Sequence, residues 1–320
     1  MNAAVVQTFD APPRYMSFDE PVAEAGEMPV KVLAAGLHPI VKALANGTHY
    51  GSTGVLPFIP GVDGVGRLED GTRVFFGVTR PPYGSFAERA LAASWLCLPL
   101  PDGLDDAVCA GIANPAMSSS AALTARAKFV GGESVLILGA TGVAGQLAVQ
   151  IAKRRGARRV VAVGRSPRAL EKLTGLGADA AISLELEHDA LVAAFRKELM
   201  EFGVDVVLDY VWGSPAETLL RAITQKGLQK SSPRVRYIQI GNMAGGTISL
   251  AAATLRSSGL ELLGSGFGSA SLDDIRQALV EFFAEAARAP FVFAVKRAPL
   301  SDVEALWNDN EKEARLVFVP

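Results

Sequence analysis

The chain has 320 residues, enough for two domains, and sets 31 basic against 33 acidic side chains for a net charge of −2. That balance excludes a general electrostatic pull toward nucleic acid or anionic membrane, and no apolar run approaches the ~20 residues of a membrane span. The two cysteines, Cys97 and Cys109, lack C-x-x-C spacing and sit among apolar neighbours, which excludes a disulfide scaffold or zinc knuckle and reads as two buried thiols.

In chain order, the first residues lack a basic segment followed by an apolar core, so no signal peptide is read and a cytoplasmic protein is expected. Up to about Gly111 the chain is rich in glycine, proline and β-prone runs. Val30–Leu33, Arg73–Phe76 and Trp95–Leu98 are predicted strands, divided by Pro-Gly and Asp-Gly turns, so this part is read as mostly β. His49, and later His188, lie in polar segments and read as surface residues.

From Val135 the pattern changes. Residues 135–168 read VLILGATGVAGQLAVQIAKRRGARRVVAVGRSPR: an apolar run, a glycine-rich turn, a helical segment and a second apolar run. This is one βαβ unit with a phosphate cradle at its first turn. Gly142 and Gly145 stand at the second and third glycines of G-x-G-x-x-G, with Ala140 at the first. The middle glycine lets backbone approach a pyrophosphate, and the last lets the helix pack closely on the strand. Val143, Leu147 and Ile151 give that helix an apolar face, and Gly156 is its stop.

The end of the second strand selects the nucleotide. An NAD site wants an acidic residue about 20 positions past the glycines, to bind the ribose 2′-hydroxyl. No Asp or Glu occurs between Gly145 and Glu171. Gly164, Arg165 and Ser166 close the strand instead, with Arg168 just beyond. A guanidinium fork suits a 2′-phosphate and a serine hydroxyl adds a donor, so NADP(H) is expected. Lys153, Arg154, Arg155, Arg158, Arg159 and Lys172 crowd the same region; a helix C-terminus and a phosphate pocket account for most of this charge, and no nucleic-acid partner is expected.

Strands are predicted next at Ala180–Ser183, Val204–Asp209 and Val235–Ile240, with helices at Ala169–Gly175, Ala190–Glu201 and Pro215–Thr224. Such alternation predicts an α/β, doubly wound parallel sheet. Gln225–Arg236 reads as an exposed basic insertion. After Leu260–Leu263 come a helix at Leu272–Ala287, a short strand near Phe291–Val295 and a last strand at Arg315–Val319, a tail expected to rejoin the first domain.

Several segments, in order and over nearly the full length, resemble the zinc-free medium-chain dehydrogenase/reductases of the quinone oxidoreductase-like branch. Lys31–Gly47 (KVLAAGLHPIVKALANG) resembles the A-x-G-x-N-P-x-D segment, Pro57–Gly66 (PFIPGVDGVG) the P-F-x-P-G-x-D-x-x-G turn, and Gly84–Gly103 the segment closing the β domain. Val204–Val211, Ile238–Asn242 and Ala314–Pro320 follow suit. The resemblance implies a GroES-like β domain from residues 1–117 and 268–320, a Rossmann NADP(H)-binding domain at 118–267, and a homodimer. Metal ligands of zinc-dependent relatives correspond here to His38, Val62 and Asn114, and valine cannot ligate, so no metal is expected. The branch's own Asn and Asp are replaced by His38 and Val41.

The implied activity is NADPH-dependent hydride transfer to a small-molecule quinone or α,β-unsaturated carbonyl, with His38 and Tyr50 as candidate proton donors. Thr141, Gly142, Val143 and Gly145 would hold the pyrophosphate, Ser118 would lie beside the nicotinamide, Gly241 and Asn242 would meet its carboxamide, Val211 the adjacent ribose, and Arg315 the pyrophosphate. The alternatives are an enoyl-thioester reductase, or an NADPH-binding protein without turnover that engages a partner or RNA.

Overall fold

In the computed structural model of the protein, which describes residues 1–49, 51–224, 232–266, 268–309 and 314–320, Val30 and Val32 are buried while Lys31 between them is exposed. That period-two pattern belongs to a strand with unlike faces. The N-terminal elements are β1 (Asn2–Val5), β2 (Arg14–Ser17), β3 (Glu27–Gly36), α1 (Pro39–Ala45), β4 (Asp63–Arg67), β5 (Arg73–Gly77), β6 (Arg89–Ala93), β7 (Cys97–Pro99) and α2 (Asp106–Ala121). The predicted strand at Trp95–Leu98 starts late: Ser94–Leu96 is a 3₁₀ turn, and pairing with β5 begins only where Cys97 meets Phe76. Cys109 is buried and Cys97 half-buried; burial pushes their thiols up to about 12 and about 11.

The middle of the chain alternates β8 (Ser134–Leu138), α3 (Val143–Arg154), β9 (Arg159–Gly164), α4 (Pro167–Thr174), β10 (Ala180–Ser183), α5 (His188–Lys197), β11 (Val206–Asp209), α6 (Gly213–Ile223), β12 (Arg234–Gln239), α7 (Ala252–Arg256) and β13 (Gly259–Gly264). The strands are all parallel, in the order β10-β9-β8-β11-β12-β13. Every residue of β8 and of Val160–Gly164 is buried, as expected of strands covered on both faces. Beyond α5, Glu198–Phe202 widens into a π turn, and the buried Glu198 carboxylate accepts two bonds from the Arg159 guanidinium at 2.8 and 3.0 Å.

The chain ends in α8 (Leu272–Arg288), β14 (Val295–Pro299), α9 (Val303–Leu306) and β15 (Arg315–Val319). The strand expected near Phe291–Val295 lies later. Phe291 is instead drawn into the core, stacked on Phe282 with centroids 5.0 Å apart, and pairing starts at Val295 opposite Arg315. β15 runs parallel to β14 and antiparallel to β3, inside the sheet β14-β15-β3-β4-β5-β7, where β6 also pairs with β3.

The chain divides into two compact units, Met1–Asn114 with Val280–Pro320, and Pro115–Leu279, so both boundaries fall inside helices. The first unit packs Phe86 edge-on to Phe318 and Trp307, the second packs both faces of the parallel sheet. The expected exposed insertion at Gln225–Arg236 lies outside the described residues up to position 231. Of its far end, Pro233 and Arg234 are exposed as expected, whereas Arg236 is buried in β12, donating to the Ala127 carbonyl at 2.5 Å and pairing with Glu133. Among the described residues, no helix is long and apolar enough to cross a membrane.

Candidate active site

The glycine-rich turn after β8 is tied to the neighbouring strand. The amides of Gly139 and Ala140 both donate to the Val163 carbonyl, at 2.9 and 2.8 Å. Gly139 has φ +92°, which makes it the residue that turns the chain, a role the glycine spacing alone assigns to position 140. Gly145 is sterically obligatory, since a Cβ there would lie 2.3 Å from the Gly139 carbonyl oxygen and 2.5 Å from Ala140 Cα.

Gly142 is different. It caps α3 with φ −77°, a conformation open to any residue, and a Cβ would meet no protein atom closer than the Gly139 oxygen at 3.5 Å. Nothing inside the protein demands glycine at this position. The demand fits a ligand: the space a side chain would fill lies at the helix start, where the first-turn amides of Val143 and its successors have no intrahelical acceptor. These residues therefore fit a pyrophosphate. Gln146 braces the turn from within the helix, its Nε2 donating to the Thr141 carbonyl at 3.0 Å.

Gly164, at the end of β9, carries the turn's other side. A Cβ there would lie 2.5 Å from Thr141 Cγ2, so the threonine side chain rests on the strand backbone. Ser166 caps α4 by accepting from the Ala169 amide at 3.3 Å, which leaves its proton to donate. Arg165 and Arg168 are exposed, and among the described residues neither forms an ion pair. Two uncommitted guanidinium groups flank a capped helix start, the donor set a phosphate dianion requires.

Ser118 is half-buried on α2 and donates to the Pro115 carbonyl at 2.7 Å. Its neighbour Ser119 is 2.7 Å from the Tyr210 hydroxyl, and burial pushes that phenol up to about 12. Val211 and Gly241 are half-buried at the ends of β11 and β12, and Asn242 is exposed just after. Beneath them lie Asp209 and Tyr237, both fully buried and neither singled out from sequence. The one signal was an acid closing the apolar run Val206–Asp209.

In the β unit, His38 precedes α1 with only 1% of its surface exposed. Its ring lies on Gly36, where a Cβ would be 2.7 Å from Nε2. Asp63 Oδ1 is 3.2 Å from that nitrogen, at hydrogen-bond distance without hydrogen-bond alignment, and its Oδ2 accepts from Asn114 Nδ2 at 2.8 Å. In the sequence Asp63 belongs to a turn motif, and its signal is an acid between Val62 and the Gly64-Val65-Gly66 run.

Arg315 joins this group from the interior strand β15. Its Nη1 donates to the Leu37 carbonyl at 2.8 Å, and desolvation lowers its guanidinium to about 10 against the opposing pull of Asp63. Val41 is fully buried and Val62 half-buried. No group of three His, Cys, Asp or Glu side chains among the described residues is placed to hold a metal ion. His188 is on the surface, but His49 is half-buried, and desolvation lowers its imidazole below the ordinary value. Tyr50, the second proton-donor candidate, lies outside the described residues.

The family described as zinc-binding dehydrogenase matches residues 143–285, a span that includes neither His38 nor Val62 nor Asn114. The chain is 29% identical to a probable NADPH-dependent quinone reductase, tdiC, of Emericella nidulans, over all of both chains. It is 31% identical over 68% of its length to a phenolphthiocerol/phthiocerol polyketide synthase of Mycobacterium tuberculosis, spanning a tenth of that much longer chain. A crystal structure of the Thermus thermophilus quinone oxidoreductase, solved also as its NADPH complex, superposes over all of both chains with a TM-score of 0.77 at 28% identity.

Proposed function

The chain belongs to the quinone oxidoreductase-like branch of the medium-chain dehydrogenase/reductases, and from that premise we propose that it is an NADPH-dependent, zinc-independent reductase of quinones or α,β-unsaturated carbonyls. In this reading residues 1–117 with 268–320 are the GroES-like catalytic domain and 118–267 the nucleotide domain. One observation carries the cofactor: Gly142 is a glycine the protein itself does not need, and the exposed pair Arg165 and Arg168 stands where an NAD site would carry an acid. The non-ligating Val62 supports zinc independence.

Bound NADPH supplies the hydride; the chain's own residues bind, orient and protonate. First-turn amides of α3 take the pyrophosphate, and the Arg165 fork takes the 2′-phosphate with Arg168 and Ser166 beside it. Ser118, Val211, Gly241 and Asn242 frame the nicotinamide half. His38 or Tyr50 carries the proton that must follow the hydride.

Steady NADPH oxidation, followed by absorbance with 1,4-benzoquinones and enones, is the expected result. Arg165→Ala is expected to weaken NADPH at least about tenfold while leaving NADH nearly unchanged, one charge-assisted pair being worth about that much. Equal losses for both cofactors would contradict the 2′-phosphate assignment. Tight NADPH binding with no turnover across the panel would leave a binding protein. The likeness to a polyketide synthase favours one second reading, reduction of enoyl thioesters, and turnover of a crotonyl thioester alone would select it. A homodimer belongs to the same proposal, with the edge strand β13 as a strand-pairing surface. Sedimentation at the mass of one chain would remove it.

A further inference from the structure

The two strand ends that frame the nicotinamide half hang on one residue. Asp209 Oδ1 accepts from the amides of Val211 and Trp212 at 2.8 and 2.9 Å, and Oδ2 accepts from the Tyr237 hydroxyl at 2.7 Å. Its main-chain carbonyl accepts from the amides of Ile240 and Gly241, at 2.8 and 3.0 Å. One residue thus sets the backbone that leaves β11 and the backbone that leaves β12. The Ala244 amide, donating to the Val211 carbonyl at 2.7 Å, joins the two turns directly.

The β11 turn is strained. Trp212 has φ +56° and ψ −154°, a region that a bulky L-residue enters at a cost of about 1–3 kcal/mol, and Gly213 follows at φ +58°. Such a backbone persists only where its surroundings hold it. The Asp209 carboxylate holds it from below, and the indole packs edge-on to Tyr237 at 6.4 Å. The β12 turn is equally constrained, since a Cβ on Gly241 would lie 2.6 Å from the Tyr210 carbonyl oxygen.

We infer that Asp209 is a positioning residue: through its carboxylate and its carbonyl it fixes Val211–Trp212 and Ile240–Gly241 as one frame for the nicotinamide half of NADPH, while touching no reacting atom. Tyr237 orients that carboxylate. The inference rests on the NADPH reading above. It also separates the two halves of the cofactor, because none of these Asp209 hydrogen bonds reaches the α3 cradle or Arg165. Burial raises the Asp209 carboxyl above its usual range, so its ionised form depends on the three donors that reach it.

The test compares calorimetric affinities for NADPH and for adenosine 2′,5′-bisphosphate, which lacks the nicotinamide half. Asp209→Ala is expected to weaken NADPH about tenfold, the worth of one well-placed hydrogen-bonded contact, and to leave the bisphosphate within about twofold. Asp209→Asn keeps an oxygen for both amides and an NH₂ for the tyrosine oxygen, and is expected to restore most of the NADPH affinity. Equal weakening of both ligands would reduce Asp209 to a fold-stabilising residue and overturn the inference, as would unchanged NADPH affinity. Should Asp209→Ala fail to fold, Tyr237→Phe carries the test: a loss of about threefold confined to NADPH supports it, and parity with the parent protein overturns it. Failure of the unmodified protein to bind NADPH would overturn the parent reading itself, a result distinct from a variant that binds as the parent does.

Discussion

Gly142→Ala is expected to leave folding stability within about 1 kcal/mol of the parent protein and to weaken NADPH binding by about tenfold to a hundredfold. The reasoning is a subtraction. Position 142 has an ordinary φ and open space around the Cβ, so the folded chain accepts the methyl group. Only a weaker helix cap opposes it, offset by the lower entropy of the unfolded chain. A pyrophosphate on the first-turn amides, by contrast, must share that space. Gly145→Ala adds the same atom three residues on and is expected to lower stability as well as binding. Alanine in a helix interior normally gains about 1 kcal/mol over glycine. Here the methyl would stand 2.3 Å from a backbone oxygen and 2.5 Å from a backbone carbon, neither able to swing aside. Overpacking of about 1–3 kcal/mol or more outweighs the propensity gain, so urea melts should shift down and binding should fall as the turn opens. If Gly142→Ala unfolded the protein, or bound NADPH as the parent does, the cradle would be a purely structural turn.

Asp63→Ala is expected to cost the β unit about 1–3 kcal/mol, the penalty for leaving a hydrogen-bonding partner without its acceptor. Among the described residues, Asp63 is the acid that opposes the desolvation of Arg315, and Asn114 Nδ2 loses its acceptor with it. Asp63→Asn keeps that acceptor but not the charge and should fall between. His38→Ala should cost only cavity and packing energy, because its ring nitrogens have no aligned partner among the described residues. Its informative readout is the pH profile of kcat. Loss of a limb of that profile assigns the proton to His38, and an unchanged profile assigns it to Tyr50 or solvent. An unfolding free energy for Asp63→Ala within about 0.5 kcal/mol of the parent protein would overturn this expectation.

Parallel strands were legible because each is a short continuous apolar run. Ala180–Ser183 and Arg315–Val319 are read to the residue, and β12 to within one. The cradle was legible for the same local reason, with its glycines, strand and helix contiguous. What escaped is what depends on distant chain. Asp63 and Asn114 are 51 positions apart and Arg315 reaches a carbonyl 278 positions away, so no periodicity links them. Arg236 looked like part of a polar insertion because its partners, Ala127 and Glu133, come from an earlier loop. Phe291 looked like strand because an aromatic beside a valine is β-prone, yet ring stacking on Phe282 was worth more than ladder pairing. Gly139 was passed over for Ala140 because the spacing of the triplet does not reveal which residue takes the positive φ.

The contact between Thr141 and Gly164 divides the labour of evolving a new cofactor preference. Gly164 is closed to change, because its backbone bears the threonine side chain of the phosphate turn. Arg165 and Arg168 are exposed and carry no such contact. A lineage could therefore trade one dinucleotide for the other through these two codons, leaving the scaffold that grips the shared pyrophosphate untouched. Specificity here is a detachable trait, and the machinery it modifies is not.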